Sequence, residues 1–129
     1  MSYYFNTMLE CSFDDAIKRV TDELKKEGFG ILSEIDVQAA LKKKLNVDFK
    51  KYKILGACNP PYAYQALQVE EKIGTMLPCN VIVLEKEDGR IEVAAIDPVA
   101  SMQAIANPQL QDTADQVQAK LKKVIENME

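Results

Sequence analysis

The sequence predicts an α+β protein, a two-layer sandwich of a mainly antiparallel sheet with helices on one face. Three observations carry this reading. Apolar residues switch between period-two and helical spacing in the order strand, helix, strand, short helix, strand, helix, hairpin, helix. Asp88-Gly89 stands between two apolar runs, the strongest short-range hairpin signal. Leu110, Ala114, Val117, Leu121, Val124 and Met128 step by fours and threes, which gives a long final helix one apolar seam. Elements that are apolar on one side only must bury that side against another layer.

Residues 2–9 read as the first strand. Ser12 opens a helix, with Asp15 three residues on as in a capping box. Phe13, Ala16, Ile17, Val20 and Leu24 follow at helical spacing, and Gly28 closes the helix at the C′ position. Phe29, Ile31, Ser33, Ile35 and Val37 alternate with Gly30, Leu32, Glu34 and Asp36, so a second strand with one buried face is expected. Asp36 is placed to cap a short helix through Leu41 and Leu45. Tyr52–Cys58 is apolar on both faces beyond Lys53 and reads as a central strand. Asn59 is a good N-cap and Pro60 fits the first helical position, so "CNPP" marks the passage from that strand into a helix. The helix turns Ala63, Ala66 and Leu67 inward and ends by Gly74. Residues 81–84 and Ile91–Ile96 form the hairpin. Asp97-Pro98 repeats the cap-and-proline device for a short helix, and Asn107-Pro108 breaks it and begins the last one. The seam of that last helix is too short to demand a coiled coil, so packing on the sheet is expected.

A length of 129 residues fits one domain on a prior of roughly 100–200 residues each. With 47% apolar and 28% charged residues, the chain can build a core without a disulfide or a metal. Its net charge of −4 argues against a general nucleic-acid binder. Lys42, Lys43, Lys44, Lys50, Lys51 and Lys53 are clustered, but no aromatic stacking pattern runs between them, so a solvated face is expected. The start, MSYYFNTMLECSFDD, lacks the basic segment and apolar core of a signal peptide. No apolar run approaches the ~20 residues that span a bilayer. The expectation is a cytoplasmic protein without a membrane or nucleic-acid partner, with Cys11, Cys58 and Cys79 as reduced thiols.

Four blocks then point to a family. "EGFGILSEIDVQAALKKKL", "YKILGACNPPYAYQAL", "GTMLPCNVIVLE" and "AAIDPVASM" resemble the characteristic blocks of the domain of unknown function 302 family, in the same order and with similar gaps. The resemblance covers residues 3–125. It implies a strand–helix–four-strand–helix fold similar to that of the TATA-box-binding protein, with extra short helices, and a homodimer. It implies no function, and likeness to a DNA-binding fold does not carry DNA binding. The family pattern is matched at Cys58, Asn59, Pro60, Leu77, Pro78, Cys79, Asn80, Asp97 and Pro98. Many relatives place a histidine about where Tyr64 stands. This chain has no histidine, so a histidine-dependent mechanism has no carrier.

The doubled Cys-Asn next to proline is the feature most in need of explanation. In the structural reading Asn59 caps a helix, Cys58 is a small buried residue at a strand end, and Asn80 bonds the same turn from the neighbouring strand. In the functional reading Cys58 precedes a helix N-terminus that favours thiolate and anionic groups, and Cys79 opens into the same pocket. That pocket would hold a small ligand, a haem or a soft metal, or cycle a disulfide. Spacing excludes a C-x-x-C motif, and two thiols fall short of a closed zinc site. The candidate ligand-binding residues are Cys58, Asn59, Cys79, Asn80, Asp97 and Tyr64, with Cys58 and Cys79 as the candidate metal ligands and no cofactor assigned. Tyr62 and Tyr64 can stack a flat ligand, but packing or interface roles suit first-turn residues better. Glu34 and Asp36 are expected as solvated acids. Cys11 is expected to be an inert, partly buried thiol. The leading function is a non-catalytic binding module. The alternatives are a thiol-dependent enzyme or oxidoreductase using Cys58, and a structural or interaction homodimer.

Overall fold

The computed structural model describes residues 2–129. Five strands form one antiparallel sheet in the order β1-β5-β4-β3-β2, where β1 is Tyr4–Leu9, β2 Gly30–Asp36, β3 Tyr52–Cys58, β4 Cys79–Glu85 and β5 Ile91–Ile96. The helices are α1 (Phe13–Lys26), α2 (Val37–Leu45), α3 (Pro60–Val69), a 3-10 helix (Glu71–Met76), α4 (Pro98–Ser101) and α5 (Leu110–Glu126). The fold is α+β, as the sequence predicts.

Local chemistry sets most boundaries where the sequence places them. Ser12 Oγ accepts from Asp15 N at 3.1 Å and starts α1. At its other end Phe29 N donates to Leu24 O and Gly28 N to Lys25 O, a Schellman motif. Gly28 has φ +89°, the left-handed conformation that this motif requires of its C′ residue. Asp36 accepts from Ala39 N and caps α2, while Glu34 pairs with Lys53 at 3.4 Å, so each acid has a structural partner. Gly89, at φ +87°, turns the β4–β5 hairpin.

The core lies between the sheet and α1 and α5. Ala16, Val20 and Leu24 of α1 meet Val117, Leu121 and Val124 of α5 over Leu55, Val81, Val83 and Val93. Each fully buried Leu or Val contributes about 1.5–3 kcal/mol over its exposed state, so this cluster holds the two layers together. All six seam residues are buried; Val117, Leu121, Val124 and Met128 join the core over the sheet as expected, while Leu110 packs with Ala66 and Ile73.

The second strand departs from its expected one-sided burial. Across β2–β3, Ile31 pairs with Ala57 and Glu34 with Leu55, with a register shift between Ile31 and Ser33. Opposed residues share a face, and Ala57 and Leu55 both face the core. Ile31 therefore points inward before the shift, but Ile35 pairs with Ile54 and points to the other face after it. Ile35 is 50% exposed and Leu32 69%. A bulge on an edge strand thus reverses a pattern that plain alternation extends unbroken. Gly56 faces Ser33 at the bulge, and a Cβ there would run into Ser33 Oγ and stand 2.8 Å from Pro78 Cγ. Glycine in mid-strand here permits close packing by the loop that precedes β4.

Two helix readings also change. The helix after β3 ends at Val69, where Glu70 is extended, and a 3-10 helix replaces its last turn. Leu67 is 46% exposed rather than inward. Lys42, Lys43, Lys44, Lys50 and Lys51 lie on an exposed lobe, as expected for a solvated face. No helix among the described residues is long and apolar enough to cross a membrane.

Candidate functional site

Space remains at one end of the sandwich because alanines converge there. Ala57 on β3, Ala63 and Ala66 on α3, and Ala114 on α5 border a common cavity of about 340 Å³. Ala57, Cys58 and Cys79 form the sheet side. Tyr62, Ala63 and Ala66 form the α3 wall, and Leu110, Thr113, Ala114 and Val117 the α5 wall. Phe29, Leu77, Pro98 and Met102 complete the lining, and the exposed Leu32 and Leu67 stand at its edge. No Lys, Arg, Asp or Glu borders it.

Three sequence candidates meet here: Cys58, Asn59 and Cys79. Cys79 pairs with Ala57, faces the helical layer and is 9% exposed. Burial pushes its thiol up to about 11 from an ordinary 9.0, and the neighbouring Cys58 adds a smaller push in the same direction. Cys79 is therefore a neutral thiol at pH 7. All three cysteines are free, and Cys11 is half-buried against the core. Among the described residues no three His, Cys, Asp or Glu side chains cluster to hold a metal ion.

Asn59 does not cap α3 with its side chain. Its Nδ2 donates to Glu27 O at 3.0 Å, tying the start of α3 to the end of α1. A Cβ on Gly28 would stand 3.2 Å from that nitrogen, so this glycine serves the contact as well as the turn. The expected anion-favouring helix end is absent too. Pro60 and Pro61 carry no N–H, while Tyr62 N and Ala63 N both donate to Asn59 O. Every amide of the first turn is missing or engaged, which leaves nothing for an anion to bind.

The other candidates lie elsewhere. Asn80 pairs with Gly56 and is exposed on the opposite face of the sheet, against the expectation that it joins the Cys58 turn. Tyr64 is 65% exposed and does not border the cavity. Asp97 caps α4 by accepting from Val99 N at 3.0 Å, and both its oxygens accept from Gln118 Nε2. That makes it a brace between α4 and α5. Tyr62 is a packing residue; its hydroxyl donates to Gln116 Oε1 at 2.9 Å. Sequence reasoning missed the α5 wall. Its one signal was the small Ala114 in a seam of larger residues, two helical elements away from Ala63 and Ala66.

A second hollow of about 410 Å³ lies on the opposite sheet face, lined by Tyr4, Tyr52, Asn80, Ile82, Leu84 and Glu92 among others. It is larger, but it is one surface of the sheet rather than a space between layers. Glu92 there is engaged by Asn6 Nδ2 at 2.8 Å and Lys86 Nζ at 3.4 Å.

Comparison with known proteins places these features in a family. The family described as "Domain of unknown function DUF302" matches residues 5–128. An uncharacterized protein of Aquifex aeolicus (strain VF5) is 31% identical over 74 residues, which cover 55% of this chain and 51% of that protein, about half its length. The crystal structure of an uncharacterized conserved DUF302 protein from Bacillus stearothermophilus superposes with a TM-score of 0.92 at 25% identity, covering 100% of both chains. From the matched blocks, the sheet order and this superposition, the chain belongs to the DUF302 family.

Proposed function

We propose that this protein is a non-catalytic binding module that takes up a small apolar molecule in the cavity between α3, α5 and the Cys58/Cys79 end of the sheet. The observation that carries the reading is a 340 Å³ cavity lined by apolar side chains with no charged residue at its border. Ligand sites of this kind are concave and mostly apolar, with few polar groups. A soft metal fits less well, because two thiols are the donors on hand and Cys79 resists ionisation. The thiol-enzyme reading is weakened by the same neutral Cys79 and by the fully engaged first turn of α3.

Ala63→Phe places a ring in the cavity from a half-buried position. Fluorescence titration with naphthalene is expected to saturate for the wild type and to weaken at least about tenfold in the variant, the equivalent of losing two buried methylenes at ~0.8 kcal/mol each. Unchanged affinity in a folded variant would place the ligand outside this cavity.

The expected homodimer is proposed on the open face of the sheet. Ile54, Ile82 and Ala94 lie side by side across β3, β4 and β5, next to the 50%-exposed Ile35 and the 39%-exposed Tyr4. The chain carries a net charge of −4, and Glu92 on this face is compensated by Lys86. Two like-charged copies meet at least cost through such a face. Sedimentation is expected to give a dimer for the wild type and a monomer for Ile82→Glu. A monomeric wild type, or a variant that stays dimeric, would remove the open face from assembly.

A further inference from the structure

The lobe between β2 and β3 exposes more than charge. Every residue from Lys42 to Lys51 is exposed, and among them Leu45 is 65%, Val47 43% and Phe49 39% exposed. The same stretch holds five lysines and one aspartate, a local charge of +4 on a chain of −4. Lys42 pairs with Asp48 at 3.1 Å. Among the described residues no carboxylate pairs with Lys43, Lys44, Lys50 or Lys51. Lys50 Nζ stands 5.6 Å from the centroid of the Phe49 ring, so charge and apolar surface are side by side.

The local structure holds these groups without covering them. α2 has 9 residues and buries none of them. Helices this short are marginal in water and draw their stability from packing an apolar face. Val37, Ala40 and Leu41 are half-buried, while Leu45 in the last turn is uncovered. Asn46, at φ +54°, then ends the helix, and Val47 and Phe49 follow in irregular chain. No residue from 37 to 51 lines the cavity or the hollow on the open sheet face. The lobe presents its side chains outward.

Its chemistry selects the occupant. An isologous contact with a second copy would set +4 against +4. Leu45 and Val47 are aliphatic and give bases nothing to stack on, as single-stranded nucleic acid requires. Specific protein interfaces are enriched in arginine and depleted in lysine, and both arginines of this chain, Arg19 and Arg90, lie elsewhere. An anionic bilayer takes both kinds of group together. Apolar side chains enter the headgroup boundary, while lysine stems lie along apolar surface and carry their charges to the phosphates.

We propose that the Lys42–Lys51 lobe docks the protein reversibly on an anionic bilayer surface, with Leu45, Val47 and Phe49 below the headgroups and Lys43, Lys44, Lys50 and Lys51 among them. The expectation of a protein without a membrane partner rested on the lack of a spanning or signal segment, and surface docking needs neither. The lobe leads into the Tyr52 end of β3 and the cavity lies at its Cys58 end, so docking and cavity binding stand or fall separately.

Co-sedimentation at physiological ionic strength tests the proposal, with vesicles of phosphatidylcholine alone or mixed equally with phosphatidylglycerol. Poly-glutamate and oligothymidylate serve as soluble polyanions. The wild type is expected to bind the mixed vesicles and not phosphatidylcholine alone. Each lysine near such a surface strengthens binding roughly fivefold, so changing Lys43, Lys44, Lys50 and Lys51 together to Gln is expected to weaken it at least about 100-fold. Leu45→Ser with Phe49→Ser is expected to weaken it at least about tenfold, the equivalent of withdrawing two methylenes at ~0.8 kcal/mol each. All six positions are exposed, so the core is left intact. If either variant does not fold, the wild type's choice among vesicles and polyanions still decides. Vesicle binding that Leu45→Ser with Phe49→Ser leaves unchanged, or equally tight binding of poly-glutamate or oligothymidylate, would overturn the bilayer as occupant. Equal binding of both vesicle types would overturn the role of the lysines, and no binding to the mixed vesicles would overturn docking itself.

Discussion

Leu121→Ala is expected to lower the unfolding free energy by about 3–5 kcal/mol, the range for a fully buried leucine whose site does not collapse. Leu121 is 0% exposed, at the centre of the α5 seam where α1 and the sheet converge. α5 is also the cavity's second wall, one and two turns earlier at Val117 and Ala114. Loss of Leu121 is thus expected to weaken ligand binding indirectly, by loosening the helix rather than by removing a contact. Urea unfolding checks the stability. A loss under about 1 kcal/mol would mean that the seam is not a core surface, since large-to-small changes in a packed core cost more than that.

The second large effect is on pH. Cys79 is neutral in the folded protein up to about 11, whereas in the unfolded chain it ionises near its ordinary 9.0. Between these values the unfolded state holds fewer protons than the folded one, so stability falls as pH rises. The contribution is fully present below pH 9 and lost on passing through 11. Two pH units at ~1.36 kcal/mol each give a loss of roughly 2–3 kcal/mol. Tyrosines and lysines titrate in the same range, so the informative quantity is the stability difference between wild type and Cys79→Ala, measured under reducing conditions from pH 7.5 to 11. That difference should shift against the wild type by this amount as the pH rises. Parallel curves for the two proteins would mean that the folded thiol ionises normally and that its surroundings are wetter than the cavity described above.

Much of the fold was legible because local chemistry and burial agree. Ser12, Asp36 and Asp97 cap helices where the sequence places caps, and Gly28 and Gly89 sit where positive φ is required. The α5 seam declares its period over nearly five turns. What was not legible depends on a third dimension. No spacing rule reports the register shift at Ile31/Ser33, and that single residue decides whether Ile35 faces the core. Asn59 has the identity of a helix cap, yet a carbonyl 32 residues earlier captures its side chain. The doubled Cys-Asn looked like a matched pair, but strand alternation sends Cys79 to the helical layer and Asn80 to the other face. Asn80 therefore stands apart from the cavity that the other three residues border. Cys58, Asn59 and Cys79 share the cavity, while Asn80, Asp97 and Tyr64 belong to the sheet's open face, a helix cap and the surface.

These placements change what the paired cysteines are for. With a neutral Cys79 and no third metal-ligating side chain clustered with them among the described residues, they serve in the proposed reading as polarisable lining for an apolar guest.

The most direct test is a proton–nitrogen correlation NMR titration of the labelled wild type with 2-naphthol, with a residue-by-residue map of the shifts. The cavity account predicts saturable shifts concentrated on the Cys58–Ala66 segment, on Cys79 and on residues 110–117 of α5. Shifts confined to the Ile54, Ile82 and Ala94 face, or no saturable shifts, would contradict it.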